Sequence, residues 1–364
     1  MELQLTRYDS KNPTITMPVN TPKLFSTLLF CLLCITACDA PQAGKEASTP
    51  RLATPTGMAE YLKNIPAVKK VQPWSDEYAP GITITTEHYD IHTTLLDPLM
   101  LRQVPGFMES AYRGYQKQLP EPIDTKTRLT IYLFGTRQEW EEFTKKFVGR
   151  QWHHYLKIRK GAYYLNGACV AYNIGRKKTF GVLAHEGWHQ FNSRHFTYRL
   201  PSWLDEGIAT LFETFRYRNG TFYFEPAKNG GRLGGLRKTI LTDNMIPLRE
   251  LIGLNPGYVI DDSESVLAFY SQAYALVRFL REEDYGKRLG NYQNLLMAGL
   301  RGKWPLAPAF RRIAADRNIP LTGRFNAFVS AKLFKLYIGR DIEQIESEYI
   351  AFCKKSVYRV RLAK

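Results

Sequence analysis

Cysteine is scarce: 5 residues in 364, three of them crowded at positions 31, 34 and 38. That excludes a disulfide-stapled scaffold. No internal repeat, collagen-like triplet or coiled-coil composition is present. Acidic residues are the minority charge, 34 against 50 lysines and arginines, for a formal net charge of +16. The excess favours acidic partners (anionic envelope polymers, membrane surfaces or nucleic acid) without choosing among them. Long apolar runs are also lacking. Residues 24–37 (LFSTLLFCLLCITA) make 14 uncharged positions, short of the ~20 that a membrane span needs. What is there is globular: 44% hydrophobic and 13% aromatic residues exclude wholesale disorder. The length fits one large or two modest domains.

Residues 24–37 have the length of a signal-peptide core, and Lys23 supplies its positive flank. Translation from Met17 instead of Met1 would leave a sufficient leader. The run ends Ile35-Thr36-Ala37-Cys38, which resembles a bacterial lipobox. The resemblance implies removal of residues 1–37 and diacylation of Cys38, a stable membrane attachment. An ordinary secretory signal with incidental cysteines is the other reading. Residues 38–56, small, polar and proline-containing, read as a flexible tether. The expected location is the bacterial cell envelope, facing the periplasm or the exterior. Losing residues 1–37 leaves the basic excess nearly intact, so an anionic envelope surface is favoured over nucleic acid, for which no motif is present. Cys169 and Cys353 remain, and whether they pair stays open.

The patterning is α+β. Residues 82–94 alternate as a strand, 99–119 carry a helical face (Val104, Phe107, Met108, Ala111, Tyr112, Tyr115), and 128–134 read as a second strand. Thr136 and Glu139 form a capping box opening a helix through Phe147. Residues 160–173 predict a hairpin turning at Asn166-Gly167, and a second strand pair is expected around Asn219-Gly220. From Thr179 onward helices dominate, so a mixed sheet precedes a mostly helical body. The expected divisions are a domain over 57–285 and a helical extension over 286–364, with apolar spacing at Ile342, Ile345, Tyr349 and Phe352.

Residues 185–189 read His-Glu-Gly-Trp-His. On a helix over 179–191, His185 and His189 lie one above the other, so both imidazoles reach one metal while Glu186 reaches a water beside it. Gly187 costs such a helix about 1 kcal/mol relative to alanine. Downstream, Ser202 reads as the N-cap of a second helix, with Asp205 completing a capping box and Glu206 fixed in the first turn. A catalytic zinc site keeps three protein ligands and an open position. His185, His189 and Glu206 make that set.

The segment WLDEGIA (residues 203–209) resembles the WLxEGxA of aminopeptidase-like gluzincins. Spacing and surroundings are similar to the smaller bacterial peptidase MA-like families, with sixteen residues between His189 and Glu206. Residues 270–280 (YSQAYALVRFL) resemble a third segment of those enzymes. The resemblance spans roughly residues 85–285. It implies a zincin-like fold, Zn²⁺, a peptide or protein substrate, Glu186 as general base and Tyr270 as donor to the oxyanion. Core packing is the other reading of Tyr270, which shares a helical face with Val266, Ala273 and Val277.

There are departures. Gln272-Ala273 replaces a Lys-Gly of the family pattern, residues 167–171 (GACVA) lack the acid that holds a substrate amine in the aminopeptidases, and Thr210 stands where thermolysin-like enzymes keep an aspartate. Aminopeptidase activity is therefore not expected. The 160–173 hairpin is expected to line the cleft and pair with an extended substrate.

A rival ligand set replaces Glu206 by His195, as in metzincins, with Asn192 at their glycine position and Met245 downstream. His153 and His154 read as surface residues, and His88 and His92 as one face of a strand without a role. Residues 229–238 (NGGRLGGLRK) lack a phosphate-loop pattern and read as a mobile loop near the cleft. Arg176–Lys178 read as a solvated charge run before the metal helix. Two function classes follow: an envelope-anchored zinc peptidase, or a weak or inactive lipoprotein of the same fold that binds or scaffolds in the envelope. A retained Glu186 favours the first, because a binding module needs no general base.

Overall fold

The computed structural model describes residues 52–75, 79–158, 161–255 and 262–358. The expected leader, Cys38 and most of the tether lie outside these residues. Helix α1 (Pro55–Leu62) opens inside the range read as tether. Its start is encoded by Thr54, whose hydroxyl accepts from the Gly57 N–H, and by proline in the first turn.

Strands β1 (Lys70–Ser75), β2 (Pro80–Thr85) and β3 (Tyr89–Thr93) follow. The single strand expected over 82–94 is thus two antiparallel strands. Buried Glu109 makes the turn between them: its carboxylate accepts from the Thr86 hydroxyl (2.7 Å), the His88 N–H (2.9 Å) and His88 Nδ1 (2.7 Å). His88 therefore sits in the turn, while His92 on β3 meets the Thr83 hydroxyl at 2.9 Å. The expected helix over 99–119 divides into α2 (Pro98–Leu101) and α3 (Val104–Gln116) beside Pro105, which lacks an N–H. All six residues of the expected α3 face are buried.

Next come β4 (Leu129–Phe134), α4 (Arg137–Val148) with the capping box at Thr136 and Glu139, α5 (Trp152–Leu156), β5 (Ala162–Leu165) and β6 (Ala168–Tyr172). Asn166 and Gly167 turn the β5–β6 hairpin with φ of 49° and 84°. The sheet is mixed and six-stranded, in the order β1-β2-β3-β4-β6-β5, with β3/β4 and β4/β6 parallel. β5 is an edge strand. Every residue of β6 is buried, because each face is covered. Cys169 and Ala171 face the main core, while Ala168, Val170 and Tyr172 pack with Trp140 of α4.

The helical part contains α6 (Arg176–His195), α7 (Ser202–Ala209), the separate hairpin β7 (Phe215–Arg218) and β8 (Thr221–Phe224), α8 (Gly230–Leu241), α9 (Leu248–Leu251) and α10 (Ser263–Glu282). It continues as α11 (Leu289–Leu300), α12 (Pro308–Ala315), α13 (Gly323–Leu333) and α14 (Ile342–Val357). α14 buries Ile345, Tyr349 and Phe352 and docks on α10, where the Tyr349 hydroxyl donates to the Gln272 carbonyl (2.9 Å). Cys169 and Cys353 are both free and buried. Among the described residues, no helix is long and apolar enough to cross a membrane.

Candidate metal centre

α6 is longer than the expected 179–191. It begins at Arg176, so Arg176–Lys178 form its exposed first turn instead of preceding it. Phe180, Leu183, Ala184, Trp188 and Phe191 make one buried stripe. That stripe fixes the helix rotation and turns His185, Glu186 and His189 toward a cleft. Gly187 has a packing reason: a Cβ there would stand 2.5 Å from the Tyr115 hydroxyl, which donates to the Ala184 carbonyl at 2.7 Å.

α7 crosses α10 closely. A Cβ at Gly207 would lie 2.6 Å from the Ala273 carbonyl oxygen, so only glycine permits this approach and the placement of Glu206 that depends on it. The capping box expected at Ser202 and Asp205 does not form. Pro201 is the N-cap, and Ser202 Oγ instead accepts from Asn326 Nδ2 at 2.9 Å. Asp205 turns to α6, reaching His189 Nδ1 (3.1 Å) and accepting from Asn192 Nδ2 (3.1 Å).

The three residues converge. One ligand atom each from His185, His189 and Glu206 lies within 4.8 Å of the others. His185 Nε2 and His189 Nε2 stand 3.3 and 3.6 Å from Glu206 Oε2, an atom buried without a hydrogen-bond partner. Behind the imidazoles, His185 Nδ1 meets Glu213 Oε1 at 3.0 Å as His189 Nδ1 meets Asp205. A carboxylate on each Nδ1 keeps a proton there, so that a cation displacing the Nε2 proton meets that nitrogen's lone pair. An orphaned anionic oxygen between two such nitrogens fits a metal ion.

Glu213 was not visible in the sequence. It lies past the end of α7, and no local pattern joins it to His185. Burial opposes its charge, but His185 and the Arg232 guanidinium hold its carboxyl down to about 2. Arg232 Nε donates to Glu213 Oε2 at 2.8 Å, and Asn229 Nδ2 to the same oxygen at 2.9 Å. Both donors come from the stretch 229–238, which is not a loop: Asn229 caps α8 by accepting from the Arg232 N–H. Thr210, at the thermolysin aspartate position, is buried with its hydroxyl on the Gly207 carbonyl (2.7 Å).

Burial also opposes charge on Glu206, yet the two imidazoles pull its carboxyl far below the ordinary range. His185 shows the reciprocal effect: burial opposes its charge, but Glu206 and Glu213 raise it to about 9 in the metal-free chain. Glu186 moves the other way, raised chiefly by burial against the pull of the two imidazoles. The partly buried Tyr270 ring packs against the main core and also lines the same cavity, with the Arg232 guanidinium 5.0 Å from its ring centroid. The negative charge of Glu206, then burial, raise its hydroxyl well above the ordinary tyrosine range. Gln272 is buried and bonds both the N–H and the carbonyl of Ile246.

His195 stays out of the cluster. Asn192 continues the helix instead of breaking it, so His195 packs against Phe191 (4.6 Å between ring centroids), and burial lowers it to about 4. Met245 packs at the edge of the core. His153 and His154 are exposed on α5. The cleft measures about 800 Å³, and β5 forms one wall through Ala162–Leu165. Compared with known protein families and with curated protein sequences, the chain matches none.

Proposed function

We propose that the protein is a zinc-dependent peptidase of zincin-like, gluzincin type. The observation that carries this reading is the pair of imidazoles turning Nε2 to the unpartnered Glu206 oxygen, each backed by a carboxylate at Nδ1. His185, His189 and Glu206 would hold the ion. When bound, zinc supplies Lewis acidity that acidifies water and polarises a carbonyl. Glu186, with its carboxyl raised by burial, accepts the proton of the attacking water and passes it to the leaving amine. The Tyr270 hydroxyl keeps its proton at neutral pH and donates to the developing oxyanion. The outer edge of β5 pairs with an extended peptide. The same reading puts the chain on a bacterial membrane through lipid on Cys38, with anionic envelope polymers as further partners. Its support is the lipobox-like sequence.

Elemental analysis and cleavage of a broad peptide library test the assignment. Glu186→Gln keeps zinc and loses hydrolysis, whereas His189→Ala loses both. Full peptidase activity in Glu186→Gln would sink the assignment, and bound zinc without cleavage of any peptide or envelope protein would favour the binding lipoprotein. Labelled fatty acid should enter the wild type and not Cys38→Ala.

A further inference from the structure

The cleft has two electrically different sides. Its carboxylates lie on the metal-centre side: Glu206 belongs to the cluster, Asp205 backs His189, and Glu186 follows His185 on α6. Toward the C-terminal end of α6 it is lined by Arg194, Arg199 and Arg317. Among the described residues, none of these guanidinium groups has a carboxylate within ion-pair distance.

Each arginine is held differently. Arg199 donates to the backbone carbonyls of Ile313 (2.8 Å), Asp316 (2.8 Å) and Ile319. It thereby fixes the loop that carries Arg317. Arg317 Nη2 donates to the Phe196 (2.8 Å) and Asn192 (3.4 Å) carbonyls, the end of α6 where the helix dipole favours a cation. It stands near enough to Tyr164 of β5 and to Asp205 to interact electrostatically with both. Arg194 is exposed, its guanidinium lying over Gly167 at the turn of the β5–β6 hairpin, where any side chain would collide with it. Burial lowers both Arg199 and Arg317, and Arg317 repels Arg199 as well, so an anion beside them relieves a standing cost.

We propose that this wall makes the cleft selective for peptides bearing a carboxylate, received by Arg194 and Arg317, with Arg199 as a positioning residue. The inference rests on the peptidase reading for the identity of the ligand as a peptide. The carboxylate can come from a chain terminus or from an Asp or Glu side chain. A guanidinium recognises both by the same paired N–H donors.

The test is binding of fluorescein-labelled heptapeptide pools to full-length Glu186→Gln, read by fluorescence anisotropy. Four pools are compared: acid-free with a C-terminal amide, acid-free with a free C-terminus, amidated with one internal Glu, and amidated with one internal Lys. At least one carboxylate pool should bind about tenfold tighter than the acid-free amide, and which pool gains identifies the source. The Lys pool should gain nothing. Adding Arg194→Gln and Arg317→Gln should erase the difference, as should high salt in large part. Equal binding of the acid-free amide, selectivity that survives both substitutions, or no binding of any pool overturns the proposal. If the double substitution fails to fold by circular dichroism, the exposed Arg194→Gln alone must reduce the selectivity, and an unchanged ratio is then the refuting result. The peptidase reading fails separately, through absent zinc or an active Glu186→Gln, while anisotropy still reports carboxylate selectivity.

Discussion

The carboxylates behind the two histidines give the sharpest expectation. In Asp205→Ala, His189 loses its Nδ1 partner, and the ring is no longer held in one tautomer and orientation. Losing such a partner costs a metal site about 10- to 100-fold in affinity, or about 1.4–2.7 kcal/mol. The metal-free fold should lose less. Asp205 is partly solvated, so water replaces it at Asn192, and its favourable place in the first turn of α7 is worth about 0.3–1 kcal/mol. Glu213→Gln should behave differently. It weakens zinc binding through His185 and also removes the charge facing Arg232, which is three-quarters buried. A mostly buried guanidinium left without its carboxylate costs more than an exposed one, up to about 3 kcal/mol after allowing for its residual solvation. Zinc affinity by chelator competition and urea unfolding of the metal-free proteins separate the two effects. Both variants should bind zinc at least about tenfold more weakly, and only Glu213→Gln should show a large fall in metal-free stability. Zinc affinity within about twofold of wild type in both variants would refute the claim that these carboxylates orient the ligands.

Other expectations follow from packing and ionisation. Gly207→Ala forces a methyl against the Ala273 carbonyl and Val277 Cγ2, both 2.6 Å from the added carbon, and should cost about 1–3 kcal/mol in urea unfolding. An unchanged midpoint would contradict the close helix crossing. Glu109 has its carboxyl lowered from 4.5: burial opposes its charge, but bonds from His88 and Thr86 outweigh that. A depressed folded value stabilises above the unfolded pKa, and the contribution is lost as pH falls through the folded one. Wild-type stability should therefore decline on acidification below about pH 4.5, and Glu109→Gln should be less stable at neutral pH by about 1.5–3 kcal/mol with a shallower acid decline. Equal pH profiles would exclude this role. Burial raises the Cys353 thiol to about 12 and Cys169 well above its ordinary value. With Cys31, Cys34 and Cys38 replaced by serine, the native protein should react with thiol reagents only on unfolding, and rapid native labelling would contradict the buried placement.

Local rules read several elements correctly because those elements satisfy them within a few residues. Thr136 and Glu139 close a capping box around their own first turn, and Asn166-Gly167 supplies the positive φ of a tight hairpin. The same rules misread Asp205, because an imidazole from another helix offers a stronger partner than the N-terminus of its own. They misread residues 229–238, where glycine content suggested a loop but Asn229 caps a helix packed on α10. They read one strand over 82–94, since no alternation pattern reveals that Glu109, on a later helix, gathers three donors and folds the segment back.

The sequence by itself determined the His185–His189 pair, because four residues on an α-helix return to the same face. It also contained Glu206 in a recognisable segment. Tertiary structure alone decided which atoms converge. Gly207 lets α7 approach α10, Glu213 arrives from beyond α7 to hold His185, and Arg317 reaches the end of α6 from a loop more than a hundred residues away in sequence. These are contacts between distant segments, set by how buried faces pack, and spacing along the chain carries no trace of them.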